Sequence, residues 1–194
     1  MDSEYLGIVK LEENQYADFY SQKIEVNNFL DNEYVIVADE VYKFRNGFFS
    51  RVNYPTIDSK WAGKIKPKNI EQLAAMDMLL DVNSTIKLIT GTWGTGKTLL
   101  LISSALKLLE ENKFDKIVWI RNNVQVANTD PIGALPGNEV DKMLPYVMPM
   151  ADHCGGIEGV LRLIDTGRLE VIPLGFLRGR SIRNSIIRSS EAEN

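Results

Sequence analysis

A single cysteine and a single histidine, adjacent at Cys154 and His153, leave this chain almost no sulfur or imidazole chemistry. One cysteine excludes an intrachain disulfide, and the two residues are too few for a Cys/His zinc site. As sequence neighbours they would form a catalytic pair only if the fold turned them together, so Cys154 reads as a loop thiol beside Gly155-Gly156. Neither charge dominates. Twenty-two basic residues against twenty-six acidic ones give a net charge of −4, so no global positive field recruits nucleic acid, and any such contact must use a local patch. Long apolar runs are missing too: the richest stretch, Leu99 to Leu109, is interrupted by Ser103, Ser104 and Lys107 and is too short to span a bilayer. Met1-Asp2-Ser3-Glu4 lacks the basic and apolar regions of a signal peptide, and a cytoplasmic protein with no membrane partner is expected.

What is present is concentrated between Ile86 and Leu109. The run Ile86-Lys87-Leu88-Ile89-Thr90 predicts a short strand, Gly91-Thr92-Trp93-Gly94-Thr95-Gly96-Lys97-Thr98 a turn, and the apolar residues from Leu99 a helix. The eight residues from Gly91 fit G-x-x-x-x-G-K-[ST], the phosphate-binding P-loop. Glycines let the backbone curl so that successive N–H groups face phosphate oxygens, and the following helix adds its positive N-terminal end. In this pattern Lys97 reaches the β- and γ-phosphates of ATP and the Thr98 hydroxyl ligates Mg2+, with Gly91 through Leu99 as the cradle. The bland alternative is a Gly-rich strand-to-helix turn whose lysine is merely solvated.

The 194 residues, 44% of them hydrophobic, suffice for one domain with an appendage. Residues 1–60 look β-rich, with strands expected at Tyr5 to Leu11 and Tyr34 to Val37 and an ambiguous polar stretch from Glu12 to Asn28. Val41 to Arg45 and Phe48 to Val52 flank Asn46-Gly47, which suits a two-residue hairpin turn because both residues tolerate positive φ. Tyr54 to Pro67 reads as a connector anchored by Trp61. A helix is expected over Asn69 to Leu80. Within it Gln72 has two roles open to it: the Asn69-x-x-Gln72 spacing of a capping box, or an amide facing a bound adenine.

Lys116 to Ile120 reads as a buried strand, and strand alternating with helix argues for a parallel α/β sheet. Asn128 to Asn138 must be a loop; helices are expected at Val140 to Met150 and Ile157 to Thr166, with Met143, Met148 and Met150 as packing residues. Leu169 to Leu174 and Ser185 to Arg188 are further strands. Six arginines against three acids between Ile157 and Ser190 make a local basic bias. Such a run is either a solvated face or, with Arg178, Arg180 and Arg183 between two sheet strands, a set of groups aimed at a phosphate of nucleotide or RNA.

From Trp61 to Asn194, about two thirds of the chain, the sequence resembles the PhoH-like family of P-loop ATPases, particularly the versions carried by bacteriophages. The resemblance rests on separated segments in order: Ile65-Lys66-Pro67-Lys68-Asn69-Ile70-Glu71-Gln72; Gly94 to Leu100; Arg121 after a strand; Gly133-Ala134-Leu135-Pro136-Gly137; Lys142-Met143 with Pro145-Tyr146; Arg178-Gly179-Arg180; and Glu191-Ala192-Glu193-Asn194. It implies an α/β P-loop NTPase domain over 61–194, a parallel sheet flanked by helices, behind a small β-hairpin appendage in 1–60 and without a PIN-type nuclease module. By the same resemblance, Gln72 reads the adenine edge, Glu191 polarises the attacking water, Arg121, Arg178 and Arg180 are candidates for phosphate or RNA contacts, and the protein forms homo-oligomeric rings acting on single-stranded RNA.

The sequence departs from the family pattern in two places. Ser190 stands where the family's Walker B Asp supports Mg2+, and Glu193 where the family has Gln; a serine brings no charge to the metal shell. The family also continues past this point with at least one further strand, so an incomplete sheet is expected, with its edge buried by a partner or another subunit. Two functions follow as expectations: a Mg2+-dependent ATPase, or a nucleotide-binding module with little or no hydrolysis. A small-molecule kinase with Arg178 to Arg183 as its lid has no acceptor motif behind it.

Overall fold

Strand β2 (Tyr34–Val37) forms where the β-branched run predicts it, and all four of its residues are buried. That burial needs cover on both faces, and the computed structural model, which describes residues 4–53, 55–121 and 147–189, supplies it. The chain divides into two compact units, residues 1–56 with 66–84 and residues 57–65 with 85–194.

In the first unit, β1 (Ile8–Lys10), β2, β3 (Glu40–Arg45) and β4 (Phe48–Arg51) form a sheet in that order, parallel at β1–β2 and antiparallel beyond. Asn46 and Gly47 take φ of 52° and 82°, the two positive values the hairpin turn requires. The expected hairpin is therefore part of a larger sheet. Alternate residues of β2 point to opposite faces: Tyr34 and Ile36 pack with Leu73 and Ala74, and Val35 and Val37 with Leu11 and Phe19. The latter come from the ambiguous stretch, which forms helix α1 (Glu13–Tyr20), and from the turn before it. Glu33, 1% exposed, accepts the N–H groups of Leu6 (2.7 Å) and Leu30 (2.9 Å) and so ties the chain on either side of it to the sheet.

Helix α2 (Ile70–Leu80) covers the other face. Its C-terminal end carries Asp77 and Asp81, a placement the helix dipole disfavours. Strand β3 answers it: Lys43 Nζ lies 2.7 Å from Asp81 and 3.4 Å from Asp77, and Arg45 3.3 Å from Asp81, while the Tyr34 hydroxyl donates to Asp77 at 2.7 Å. Burial pushes the Asp81 carboxyl up, but Lys43 and the backbone N–H of Asn83 outweigh it and hold the group well below the usual carboxylate range. A depressed carboxyl stabilises the fold above its unfolded pKa, near 3.9, and loses that contribution as pH falls through the lower folded value. We therefore expect the first unit to lose stability below about pH 4, and Asp81→Asn to cost about 2 kcal/mol at neutral pH while flattening that acid limb in melts followed against pH.

In the second unit, the expected connector contains a hairpin, β5 (Ile57–Ser59) and β6 (Gly63–Ile65). The Ser59 hydroxyl donates to Glu110 at 2.7 Å and accepts from the Trp61 and Ala62 N–H groups, fastening the hairpin to the end of helix α3 (Lys97–Glu110). Trp61 is the anchor expected, packed against the main core and stacked 5.9 Å from the Arg162 guanidinium.

Strands β7 (Lys116–Arg121), β8 (Leu169–Pro173) and β9 (Ser185–Ser189) make a parallel sheet in the order β8-β7-β9. Ile117 and Trp119 face α3, helix α4 (Ile157–Asp165) and residues 147–154, while Val118 and Ile120 face Leu177 and Ile182 of the β8–β9 connection. The core face includes Cys154, fully buried, whose thiol burial pushes up to about 12. It is thus an inert core residue and not an accessible loop thiol. Met150 is buried in the same cluster and Met148 half-exposed.

The strand expected at Ile86 to Thr90 is not found. No ladder includes these residues, and Ile86 and Leu88 are 91% and 76% exposed. An apolar run becomes a strand only when another strand accepts its hydrogen bonds, and here none of the described strands does. The loop expected at 128–138 and Met143 lie outside the described residues, as does most of the helix expected at 140–150, of which 147–150 are helical.

Candidate functional site

The Gly-rich loop folds as the spacing demands. Gly94 and Gly96 adopt φ of 75° and 86°, a backbone a side chain resists, and a Cβ on Gly94 would meet nothing within 4 Å, leaving open space over the loop. Gly96 is the N-cap of α3 and supplies no side chain to it. The first intrahelical bond is Leu100 N–H to Gly96 O, at 3.0 Å. The N–H groups of Lys97, Thr98 and Leu99 precede it, donors that a helix start without a capping side chain offers to an anion.

Lys97 curls back over the loop, its Nζ donating to the carbonyls of Gly91 and Thr92, both at 2.7 Å. The Thr95 hydroxyl donates to Thr92 O at 2.9 Å. The loop is thereby held closed on itself by one cation and one hydroxyl. Thr98 is exposed on the first turn of α3, and Trp93, at the tip, is 97% exposed. A backbone cradle, a helix N-terminus, an ammonium and a hydroxyl in one short stretch are the kinds of group that can hold a phosphate and a cation.

Gln72 belongs to the first unit. Asn69 Oδ1 accepts its N–H at 2.8 Å, and its own Oε1 accepts the Lys68 N–H at 2.9 Å, so the capping role is realised, one residue earlier than the standard box. Arg121 ends β7. Arg178 is exposed in the turn after β8, whereas Arg180 is ion-paired with Glu170. Lys116, at 2.7 Å, and Arg180 together hold the Glu170 carboxyl below its ordinary value. Glu191, Ser190 and Glu193 lie outside the described residues. Sequence reasoning missed Arg188, which is buried and stacked 3.9 Å over the Trp119 ring from the next strand. Its only sequence signal is a charge inside an apolar strand.

A parallel α/β sheet whose leading helix opens from a G-x-x-x-x-G-K-[ST] loop places this unit in the P-loop NTPase class. Residues 64–194 match the model of the PhoH-like protein family, and the chain belongs to that family. It is 34% identical over 134 residues to protein PhoH2 of Thermobispora bispora, covering 67% of this chain and 30% of that one. Protein PhoH2 of Bacillus subtilis is 29% identical over 221 aligned positions, covering 100% and 48%, and a PhoH-like protein of Mycobacterium tuberculosis 33% identical over 133, covering 67% and 37%. The chain thus spans between 30% and 48% of these relatives' lengths. Among the described residues, no helix is long and apolar enough to cross a membrane.

Proposed function

We propose that this chain binds ATP at Gly91–Leu99 and hydrolyses it with Mg2+. The observation that carries this is the loop itself: three N–H groups ahead of the first helical bond, positive-φ glycines, and a lysine anchored only to exposed loop carbonyls. A phosphate chain entering the cradle offers Lys97 charged oxygens in place of Gly91 O and Thr92 O, and charge-assisted bonds are the stronger. Mg2+ would neutralise charge on the β- and γ-phosphates, with Thr98 as the residue that would hold it and Glu191 as the carboxylate that would polarise the water. In this reading Arg121 and Arg178 contact phosphate or single-stranded RNA once Arg180 is accounted for by Glu170, and the protein works as a ring of copies in the cytoplasm. Ser190, in place of the Walker B carboxylate, favours a second reading, in which ATP is bound and scarcely turned over.

Trp93 gives the test a built-in reporter, since of the three tryptophans it is the one exposed at the loop tip, Trp119 being buried and Trp61 partly buried against the core. Titration with ATP should change tryptophan fluorescence, and the change should vanish in Trp93→Phe with binding retained. Phosphate release that requires Mg2+ and rises with single-stranded RNA supports the ATPase. Binding without release supports the second reading, and no binding overturns both.

A further inference from the structure

Of the six arginines between Ile157 and Ser190, four are taken up inside the second unit. Arg162 stacks on Trp61, Arg168 donates to the carbonyl of Leu109 at 2.6 Å, Arg180 is paired with Glu170, and Arg188 is buried over Trp119. Arg178 and Arg183 are left, both exposed, and among the described residues neither enters an ion pair. No acidic residue stands from Val171 to Ser190, so the connection between β8 and β9 carries no carboxylate of its own to cancel them. That connection is pinned from below: Leu177 and Ile182 pack on Val118, Ile120 and Ile172. The Leu177 N–H donates to Leu174 O at 3.2 Å and the Arg180 N–H to Leu177 O at 3.1 Å, which fixes the turn between the two anchors. Arg178 adjoins one anchor and Arg183 the other. On the other side of Leu177 stands Phe176, 68% exposed at the end of a 3-10 turn. An aromatic ring so exposed gives the fold little of its apolar area.

The turn opens where β8 finishes, at the end of a parallel sheet where open α/β folds take their ligands. Helix α3 reaches the same end: the chain leaves it at Glu110 and enters β7 at Lys116, so its first turn and the Gly-rich loop lie where β7, β8 and β9 finish. Among the described residues the second unit exposes two aromatic side chains, Trp93 and Phe176, and both stand at this end. We propose that Phe176, Arg178 and Arg183 form a platform for single-stranded nucleic acid, one base stacking on the Phe176 ring while neighbouring phosphates lie against the two guanidiniums. This extends the RNA contact read above for Arg178, and it does not require ATP to be bound. Every base has a π-face and every nucleotide a phosphate, so the platform tolerates any sequence and either sugar. A duplex keeps its bases stacked on one another and offers Phe176 none. With a net charge of −4 the chain as a whole does not attract a polyanion, so the attraction must come from this patch.

Fluorescence anisotropy of labelled oligonucleotides, without ATP, tests this across a range of salt. Oligouridylate and oligothymidylate of about 20 nucleotides should bind within about threefold of each other, and a duplex of equal length about tenfold more weakly. Phe176→Ala should weaken single-strand binding about tenfold and leave its salt dependence unchanged, because stacking releases no counterions. Arg178→Gln and Arg183→Gln should each weaken it and lower the slope of log affinity against log salt by about 0.7. All three side chains are exposed, so the variants should melt like the parent, and Phe176→Trp should keep the affinity. No single-strand binding, equal binding of duplex, or affinity unchanged in Phe176→Ala or in the double arginine variant overturns the platform. A decaglutamate peptide that competes as well as the oligonucleotide overturns it too, since the patch would then take acidic protein. ATP titration of Phe176→Ala, followed through Trp93, should match the parent, so that failure at this platform and failure at Gly91–Leu99 are seen separately.

Discussion

Gly159→Ala should unfold the second unit or lower its stability by about 3 kcal/mol or more. A Cβ at this position would sit 1.7 Å from the carbonyl oxygen of Cys154 and 2.9 Å from its carbonyl carbon, with the Trp61 ring at 3.4 Å. The first two are backbone atoms of the turn that leads into α4, so no rotamer change relieves the overlap. Either α4 lifts from the sheet, taking Val160 and Leu163 out of the core, or the turn moves and drags Cys154 and Met150 with it. Thermal melting of the variant beside Gly175→Ala checks this. Gly175 has a negative φ and nothing within 4 Å, so it should melt like the parent. Helix propensity alone predicts that alanine inside α4 is stabilising by about 1 kcal/mol, so the two accounts differ in sign.

Lys97→Ala should reduce ATP affinity about 10- to 100-fold and remove measurable hydrolysis, while leaving the melting temperature nearly unchanged. The ammonium lies over the loop, bonded to two of its carbonyls, and a hydrogen bond to a charged group contributes about 1.5–3 kcal/mol. Hydrolysis falls further than binding because the charge it offsets grows on the way to the transition state. The bonds it gives up, to Gly91 O and Thr92 O, are at the surface, where water replaces them. Fluorescence titration and phosphate release on the same sample separate the two effects. Undiminished ATP affinity in the variant would place nucleotide elsewhere on the molecule.

Much of the fold was legible locally. Asn46-Gly47 marks a hairpin because both turn residues must hold positive φ, and they do. Asn69 marks the start of α2 because its carboxamide accepts the Gln72 N–H, a bond made within four residues. The strands at 34–37, 116–121 and 169–173 were readable because residues buried on both faces are apolar almost without interruption, and the one at 185–189 by its Ile186-Ile187 pair, although its one buried residue is Arg188. The Gly-rich loop was readable for the same kind of reason, since backbone conformation, helix start and lysine all lie within eight residues.

What was not legible depends on partners far apart in the chain. Residues 86–90 look like a strand and join none of the sheets among the described residues, since membership of a sheet belongs to the neighbour as much as to the run itself. Cys154 reads as a loop thiol by its glycines and is a core residue because α4 and the sheet close over it. Lys43 with Asp77 and Asp81, Glu33 with Leu6, and Arg188 with Trp119 are joined only once strands and helices have docked. By itself, then, the sequence determined most of the elements and the Gly-rich loop that opens α3, because those follow from φ preferences, periodicity and capping over a few residues. Only the tertiary structure decided which apolar runs enter a sheet, which glycine tolerates no side chain and which charges are paired, because burial and hydrogen-bond satisfaction are properties of surfaces brought together.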